Sequence, residues 1–292
     1  MFNSFSKNSS ILGIFWMIIT SFFFVGVFIT VKYIGTDLPA SQSAFLRYLF
    51  GTLILFPTII TGFKNTQMPL TKIFAIRGFF HAIGVTLWFY SMTVITIAEV
   101  TAIGFLTPIF ICIGASFLFK EKINGFRLLA IFLSFLGALV ILRPGFKVFE
   151  TGHGCMLLAA FVFSFSYLIA KHVSKNKNSA EVVAFLSFFT TIFLIPLAIY
   201  QWVNMSNENI ILLFLTAILA TLGHITMTMA IKSAPMVVIQ PFTFLQLVWS
   251  VIFGFILFQE KIDVFVILGG VIILISTSYL TFYESRIKIK KS

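Results

Sequence analysis

Residues 11–31 read ILGIFWMIITSFFFVGVFITV, a run in which no position carries a charged side chain. A helix of this length covers about 30 Å, which is the thickness of a bilayer's hydrocarbon core. The run is too long for the apolar region of a signal peptide, and no small-residue cleavage pattern follows it closely. We therefore interpret it as a retained membrane span.

Runs of the same kind recur along all 292 residues, of which 59% are hydrophobic and 10% charged. Soluble domains carry about 25% charged residues, so a soluble globular protein is nearly excluded. The predicted spans are 11–31, 42–62, 72–91, 97–119, 126–143, 154–171, 181–202, 209–231, 236–258 and 264–283. Backbone groups facing lipid must bond within their own segment, so every span is expected to be a helix. The sequence thus predicts an all-α polytopic membrane protein with ten transmembrane helices.

The net charge of +11 is explained by the orientation of these spans. With the N-terminus placed in the cytoplasm, 15 of the 20 Lys and Arg residues fall in cytoplasmic segments or helix ends. Four fall outside, and Arg47 lies within a span. This asymmetry is typical of the positive-inside rule. It predicts that both termini are cytoplasmic and that 284–292 is a basic tail beside anionic lipid, with no role in nucleic-acid binding.

Two pentapeptides reveal an internal repeat. Residues 119–123 read FKEKI and residues 258–262 read FQEKI, at an offset of 139. Helices 1–5 (11–143) are therefore predicted to repeat as helices 6–10 (154–283). Because five is an odd number, the second copy enters the membrane inverted. Inverted repeats predict a binding site near the midplane and transport by alternating access.

The segment from Ser91 to Leu142 resembles the EamA domain, as does Ala230 to Leu280. Two such copies resemble the ten-helix transporters of the drug/metabolite transporter superfamily. The resemblance implies a central cavity lined by helices 1, 3, 4, 6, 8 and 9. It also implies a metabolite or drug as substrate, such as an amino acid, S-adenosylmethionine or riboflavin. The second copy has Ser187 where the first has Arg47, so the two copies are not expected to share the role of that arginine.

Two charged residues in or near spans are candidates for substrate anchoring or gating. Arg47 lies in helix 2, and Glu99 lies near the outer start of helix 4. A buried charge in lipid is costly, so we predict that the two form a pair. The alternative is that Arg47 reaches the headgroups and Glu99 lies at the interface.

Histidine and aromatic residues form a second set of candidates. His81 and His224 lie deep in helices 3 and 8, on equivalent faces under the repeat offset, and Trp88 shares the His81 face. Each histidine could relay a proton or bind substrate. The alternative is a core histidine bonded to a backbone carbonyl.

Helix 9 supplies the remaining candidates, with Tyr167 of helix 6 as a secondary one. Gln246 and Trp249 share one face, and Gln240 precedes a proline that is expected to kink the helix. Amides beside an aromatic ring suit a planar or zwitterionic organic ligand. The alternative is hydrogen bonding of the glutamines between helices.

The sequence thus predicts an inner-membrane secondary transporter of a small organic metabolite, with drug or amino-acid export as the alternative. The remote alternative, a membrane-embedded enzyme, lacks a catalytic or metal-ligand constellation in the sequence. No cofactor, metal or catalytic residue is expected. The expected partners are substrate and lipids, and a homodimer is an open alternative.

Overall fold

The computed structural model describes residues 7–64, 68–119, 125–143, 146, 148–173, 179–234 and 236–291. Within these ranges the chain forms helices and no strand. The helices are α1 (Lys7–Ile34), α2 (Ala40–Ile54), α3 (Phe56–Lys64), α4 (Met68–Val94), α5 (Ile97–Gly104), α6 (Thr107–Phe119), α7 (Gly125–Leu142), α8 (Thr151–Val173), α9 (Ser179–Tyr200), α10 (Asn207–Ser233), α11 (Met236–Ile239), α12 (Leu245–Phe258) and α13 (Val264–Lys291). A 3-10 helix, Gln240–Phe244, lies between α11 and α12.

Several of these helices are long and apolar enough to cross a membrane. In the described part of the chain they number seven, or eight when the bent pair α2 and α3 is taken as one span. Two further apolar segments, Leu128–Leu142 and Phe242–Phe258, are shorter. The predicted all-helical, multi-pass membrane protein is therefore confirmed.

Three predicted continuous helices are broken, and each break is followed by a proline. Span 42–62 is divided at Leu55, where α2 and α3 meet at a bend of 69°, and Pro57 is the second residue of α3. Pro108 is the second residue of α6, and the kink expected at Pro241 takes the form of the 3-10 helix. Proline has no N–H to donate, and its ring collides with the preceding turn of a continuous helix. Proline is favoured in the first turn of a helix, where these three prolines lie, whereas Pro196 lies inside α9.

One compact unit, which we call the α4 unit, comprises Gly26–Ile95 and Glu150–Thr221. In it α2 packs against α9, and α4 packs against both α8 and α9. A Cβ atom on Gly84 of α4 would lie only 2.7 Å from the Phe163 ring of α8. Glycine at this position is therefore what lets α4 and α8 approach closely enough to place side chains of both helices in one cluster.

The other compact unit, which we call the α13 unit, comprises the residues up to Val25, Thr96–Phe149 and Leu222 onward. Here α7 lies along α13, and α5 packs against α12. A Cβ atom on Gly137 would lie 2.7 Å from the carbonyl oxygen of Gly269, so the two helices meet backbone to backbone. Small residues commonly allow such close crossings between membrane helices.

Candidate substrate site

A cluster of polar side chains from α2, α4 and α8 lies inside the α4 unit. We call it the buried polar cluster. Its members are Arg47, Tyr48, Arg77, His81, Ser166 and Tyr167. The two arginines are 7% and 5% exposed, whereas Tyr167 is 36% exposed. Polar groups buried within membrane helices are costly and usually mark a binding site or a transport pathway.

His81 connects the three helices. Its Nε2 atom lies 2.6 Å from the Tyr48 hydroxyl of α2, and its Nδ1 atom lies 3.2 Å from the Ser166 hydroxyl of α8. His81 stands at the middle of α4, so these bonds lie near the centre of that span. The predicted core alternative named a backbone carbonyl as partner. The described bonds run to two side-chain hydroxyls, an arrangement compatible with a proton relay, a substrate site or a structural histidine, so the role of His81 stays a prediction.

The two arginines give the buried polar cluster a positive charge. The guanidinium carbon of Arg47 lies 3.8 Å from the centroid of the Tyr48 ring. Arg77 donates from Nη1 to the Val182 carbonyl of α9 at 3.0 Å. Its Nε is buried and has no hydrogen-bond partner in the described structure. The phenols of Tyr167 and Tyr48 are the side chains close enough to interact electrostatically with this guanidinium.

The α4 unit also contains the predicted aromatic candidates Trp88 and Tyr167. The Trp88 ring lies 5.4 Å from Phe28 and 5.2 Å from Phe89, measured between ring centroids. The Tyr167 ring lies 6.3 Å from that of Phe163, whose ring is 4.9 Å from His81. The predicted candidates Arg47, His81, Trp88 and Tyr167 thus belong to one unit.

Other predicted candidates lie in the α13 unit. The Trp249 ring stacks on Phe22 at 4.5 Å, and its indole nitrogen is buried without a hydrogen-bond partner in the described structure. Ser250 donates to the Gln246 backbone carbonyl at 2.6 Å, and His224 meets the Phe24 ring edge to face at 5.2 Å. The side chain of Gln240, also predicted, lies outside the described residues.

Glu99 has a local structural role that the sequence analysis missed. Its Oε2 atom accepts hydrogen bonds from the backbone nitrogen and the hydroxyl of Thr96, at 3.0 and 2.8 Å. The Thr96 hydroxyl accepts in turn from the Glu99 backbone nitrogen, completing a capping box at the start of α5. Such boxes satisfy the free N–H groups of a first helical turn. The pairing of Arg47 with Glu99 stays a prediction.

Tyr48, Arg77 and Ser166 are members of the buried polar cluster that sequence reasoning did not select. Arg77 is one of the 15 basic residues that the charge asymmetry places in cytoplasmic segments or helix ends, but it lies well inside α4 and is 5% exposed. Its position four residues before His81 places both on one face of the helix, and that spacing is a usable signal. Nothing in the sequence distinguishes Ser166 from the other serines of α8.

No group of three or more His, Cys, Asp or Glu side chains that could hold a metal ion occurs in the described ranges.

The comparison with known families decides what kind of protein this is. The profile of the EamA-like transporter family matches residues 11–143 and again 150–282. The chain belongs to the EamA-like transporter family. This EamA-like protein is thus a metabolite transporter and not an enzyme.

Two curated relatives cover almost the whole EamA-like chain. An S-adenosylmethionine uptake transporter of Rickettsia prowazekii (strain Madrid E) is 28% identical, over 87% of each chain. A riboflavin transporter of Vibrio cholerae serotype O1 is 26% identical, over 96% of each chain. A solved crystal structure that is 13% identical matches 97% of this chain and 99% of its own, with a TM-score of 0.61. That likeness supports the fold alone.

Proposed function

We propose that this protein is a ten-helix secondary transporter that carries S-adenosylmethionine or a related small metabolite into the cell by alternating access. The observation that carries this proposal is the buried polar cluster around His81, at the middle of α4. Transporters of inverted-repeat architecture bind substrate near the bilayer midplane. The similarity to an S-adenosylmethionine uptake transporter over most of the chain supports this substrate.

We propose ten spans arranged as two inverted five-helix repeats. Support comes from the helices that reach membrane length, together with the shorter apolar segments Leu128–Leu142 and Phe242–Phe258. The family profile also matches the chain twice, at 11–143 and 150–282. The Lys and Arg asymmetry supports an inner-membrane location, cytoplasmic termini and a basic tail at 284–292.

We assign substrate contact to two sets of the predicted residues. Arg47, His81, Trp88 and Tyr167 would act in the α4 unit, and His224, Gln246 and Trp249 would act in the α13 unit. Gln240 stays a candidate from sequence, and Glu99 a gating candidate. The exporter alternative uses the same fold and differs in the direction of transport.

The function is tested with purified protein in liposomes. We expect saturable uptake of labelled S-adenosylmethionine, competed by unlabelled compound. His81→Ala should lose most of this uptake, because it removes the link between Tyr48 and Ser166. His153→Ala is the matched control, since His153 is equally buried but lies at the start of α8. Absence of uptake, or equal uptake by His81→Ala, would contradict the proposal. Substrate accumulation in inside-out vesicles but not in right-side-out vesicles would establish export.

The topology is tested by labelling single cysteines in cells. Cys112 and Cys155 are first replaced by alanine, because both are free thiols. Lys64→Cys should then react only after the membrane is permeabilised, whereas Lys261→Cys should react with an impermeant reagent in intact cells. The two sites reacting from one side would refute the proposed arrangement.

A further inference from the structure

The buried polar cluster contains two guanidinium groups, and within the described residues no ion pair joins either of them to a carboxylate. The described acidic residues of the α4 unit are Asp37, Glu150, Glu181 and Glu208. The first two lie in loops, and the other two lie in the first turns of α9 and α10. Glu181 precedes Val182, the partner of Arg77, but its Cγ lies 3.9 Å from where a Gly62 Cβ would be, toward α3.

The hydrogen bonds of Arg77 leave one edge of its guanidinium available. Nη1 donates to the Val182 carbonyl, which fixes the plane of the group. The Nε atom is buried and has no hydrogen-bond partner in the described structure. Nε and Nη2 together form the edge that binds carboxylates side-on with two parallel hydrogen bonds. A buried donor without a partner is costly, so it requires an acceptor supplied from elsewhere.

Arg47 presents a second positive charge in the same unit. Its guanidinium lies over the Tyr48 ring and is 7% exposed. Arginine does not lose its proton in proteins, so two buried guanidinium groups carry a free-energy cost that a bound anion would reduce. The hydrogen bond to His81 holds the Tyr48 side chain in place. The ring of Tyr48 therefore stays against Arg47, and its phenol stays near Arg77.

We propose that the buried polar cluster binds the carboxylate of the transported metabolite, with Arg47 and Arg77 as its ligands. This inference rests on the proposed transport function and narrows its substrate class to amino acids and amino-acid conjugates. S-adenosylmethionine carries an amino-acid carboxylate, whereas riboflavin carries none. The cluster therefore favours the first compound over the second.

The experiment compares S-adenosylmethionine with its decarboxylated analogue, which differs only in lacking the carboxylate. Each compound competes against labelled S-adenosylmethionine in proteoliposomes containing wild-type protein or a variant. We expect wild-type protein to prefer the carboxylated compound by about tenfold or more, the size typical of a charge-assisted hydrogen bond. Arg47→Gln and Arg77→Lys should bring the preference close to one.

Arg77→Lys keeps a positive charge that can still bond to the Val182 carbonyl, but it cannot donate two parallel hydrogen bonds to a carboxylate. The variant therefore tests carboxylate binding while preserving the contact that supports folding. Lys64→Gln is the matched control, because it removes one positive charge from an exposed site at the end of α3. It should keep the wild-type preference. Wild-type protein that takes up both compounds equally, or variants that keep the preference, would overturn the carboxylate site and leave the transport function standing.

A second measurement applies if wild-type protein takes up neither compound, which would refute S-adenosylmethionine as the substrate. Thermal unfolding in detergent is then followed with amino acids and with the corresponding amines. An amino acid should raise the unfolding temperature of the wild-type protein, whereas the corresponding amine should not. Loss of this stabilisation in Arg47→Gln would support the carboxylate site. No such difference with any of the twenty standard amino acids would overturn it.

Discussion

The hydroxyl oxygens of Thr52 and Thr191 lie 3.0 Å apart, and the two residues are separated by 139 positions. The same offset relates residues 119–123 to residues 258–262. Arg47 and Ser187 of the same two helices correspond at an offset of 140, so the two threonines lie within one position of repeat equivalence. The packing of α2 against α9 in the α4 unit supports the proposed inverted repeat, because equivalent helices of two inverted copies can meet at their local two-fold axis.

Replacing either threonine by valine should destabilise the protein. Thr52→Val and Thr191→Val each remove one side of a buried hydrogen bond. The double variant should be no less stable than the worse single variant, giving a coupling free energy of about 0.5–1.5 kcal/mol. Reversible unfolding in mixed micelles measures these values. Thr61→Val, at an exposed site of α3, serves as the control, and additive effects of the two changes would contradict the coupling.

Substitution of Glu99 separates its capping role from its predicted pairing with Arg47. Glu99→Gln preserves an acceptor for the Thr96 capping box, so the free energy of unfolding should change by less than about 0.5 kcal/mol. Pairing predicts that the same variant nevertheless transports more slowly, and that exchanging the two charges restores transport. Measurements of uptake and unfolding on the same preparations decide the matter. Normal uptake by Glu99→Gln would refute the pairing. Pairing of Arg47 with Glu99 in one state of the transport cycle is compatible with substrate binding by Arg47 in another state.

Trp249→Phe should raise the substrate KM without weakening the fold. Phenylalanine keeps the stacking on Phe22, and the indole N–H that is lost has no partner in the described structure. Removing an unpaired buried donor leaves the free energy of unfolding unchanged or increases it by up to about 1 kcal/mol. Trp202→Phe, at a residue that is 44% exposed, should change neither quantity. A large loss of stability with an unchanged KM would show that Trp249 serves packing alone.

Asp263→Ala should destabilise the protein more than Arg143→Ala. Asp263 pairs with Arg143 and also accepts a hydrogen bond from the Phe265 backbone nitrogen at 3.0 Å, at the start of α13. Losing this cap costs about 1 kcal/mol, whereas a partly exposed ion pair contributes at most about 1 kcal/mol. Thermal unfolding at low and high salt distinguishes the two, because only the ion pair is screened. Equal losses of stability in Asp263→Ala and Arg143→Ala, with equal salt dependence, would contradict a capping contribution from Asp263.

Part of the candidate site was predictable because membrane burial makes polar residues conspicuous. Arg47 and His81 stand out in apolar runs, and the structure places them in one cluster. Arg77 was counted as a helix-end charge, because a tally of Lys and Arg does not record how deep a side chain lies. The bonds of Ser166 and Thr191 are tertiary, and a single serine or threonine in a membrane helix carries no pattern that predicts its partner.

The membrane location, the helical secondary structure and the repeat offset were predictable from the amino-acid sequence alone. These follow from the length of apolar runs, from the need of backbone groups to bond within their own segment, and from similarity between two stretches of one chain. Which polar groups meet depends on tertiary packing. Helices pack through side chains far apart in sequence, so the Tyr48–His81–Ser166 connection and the free edge of Arg77 depend on how α2, α4, α8 and α9 pack together.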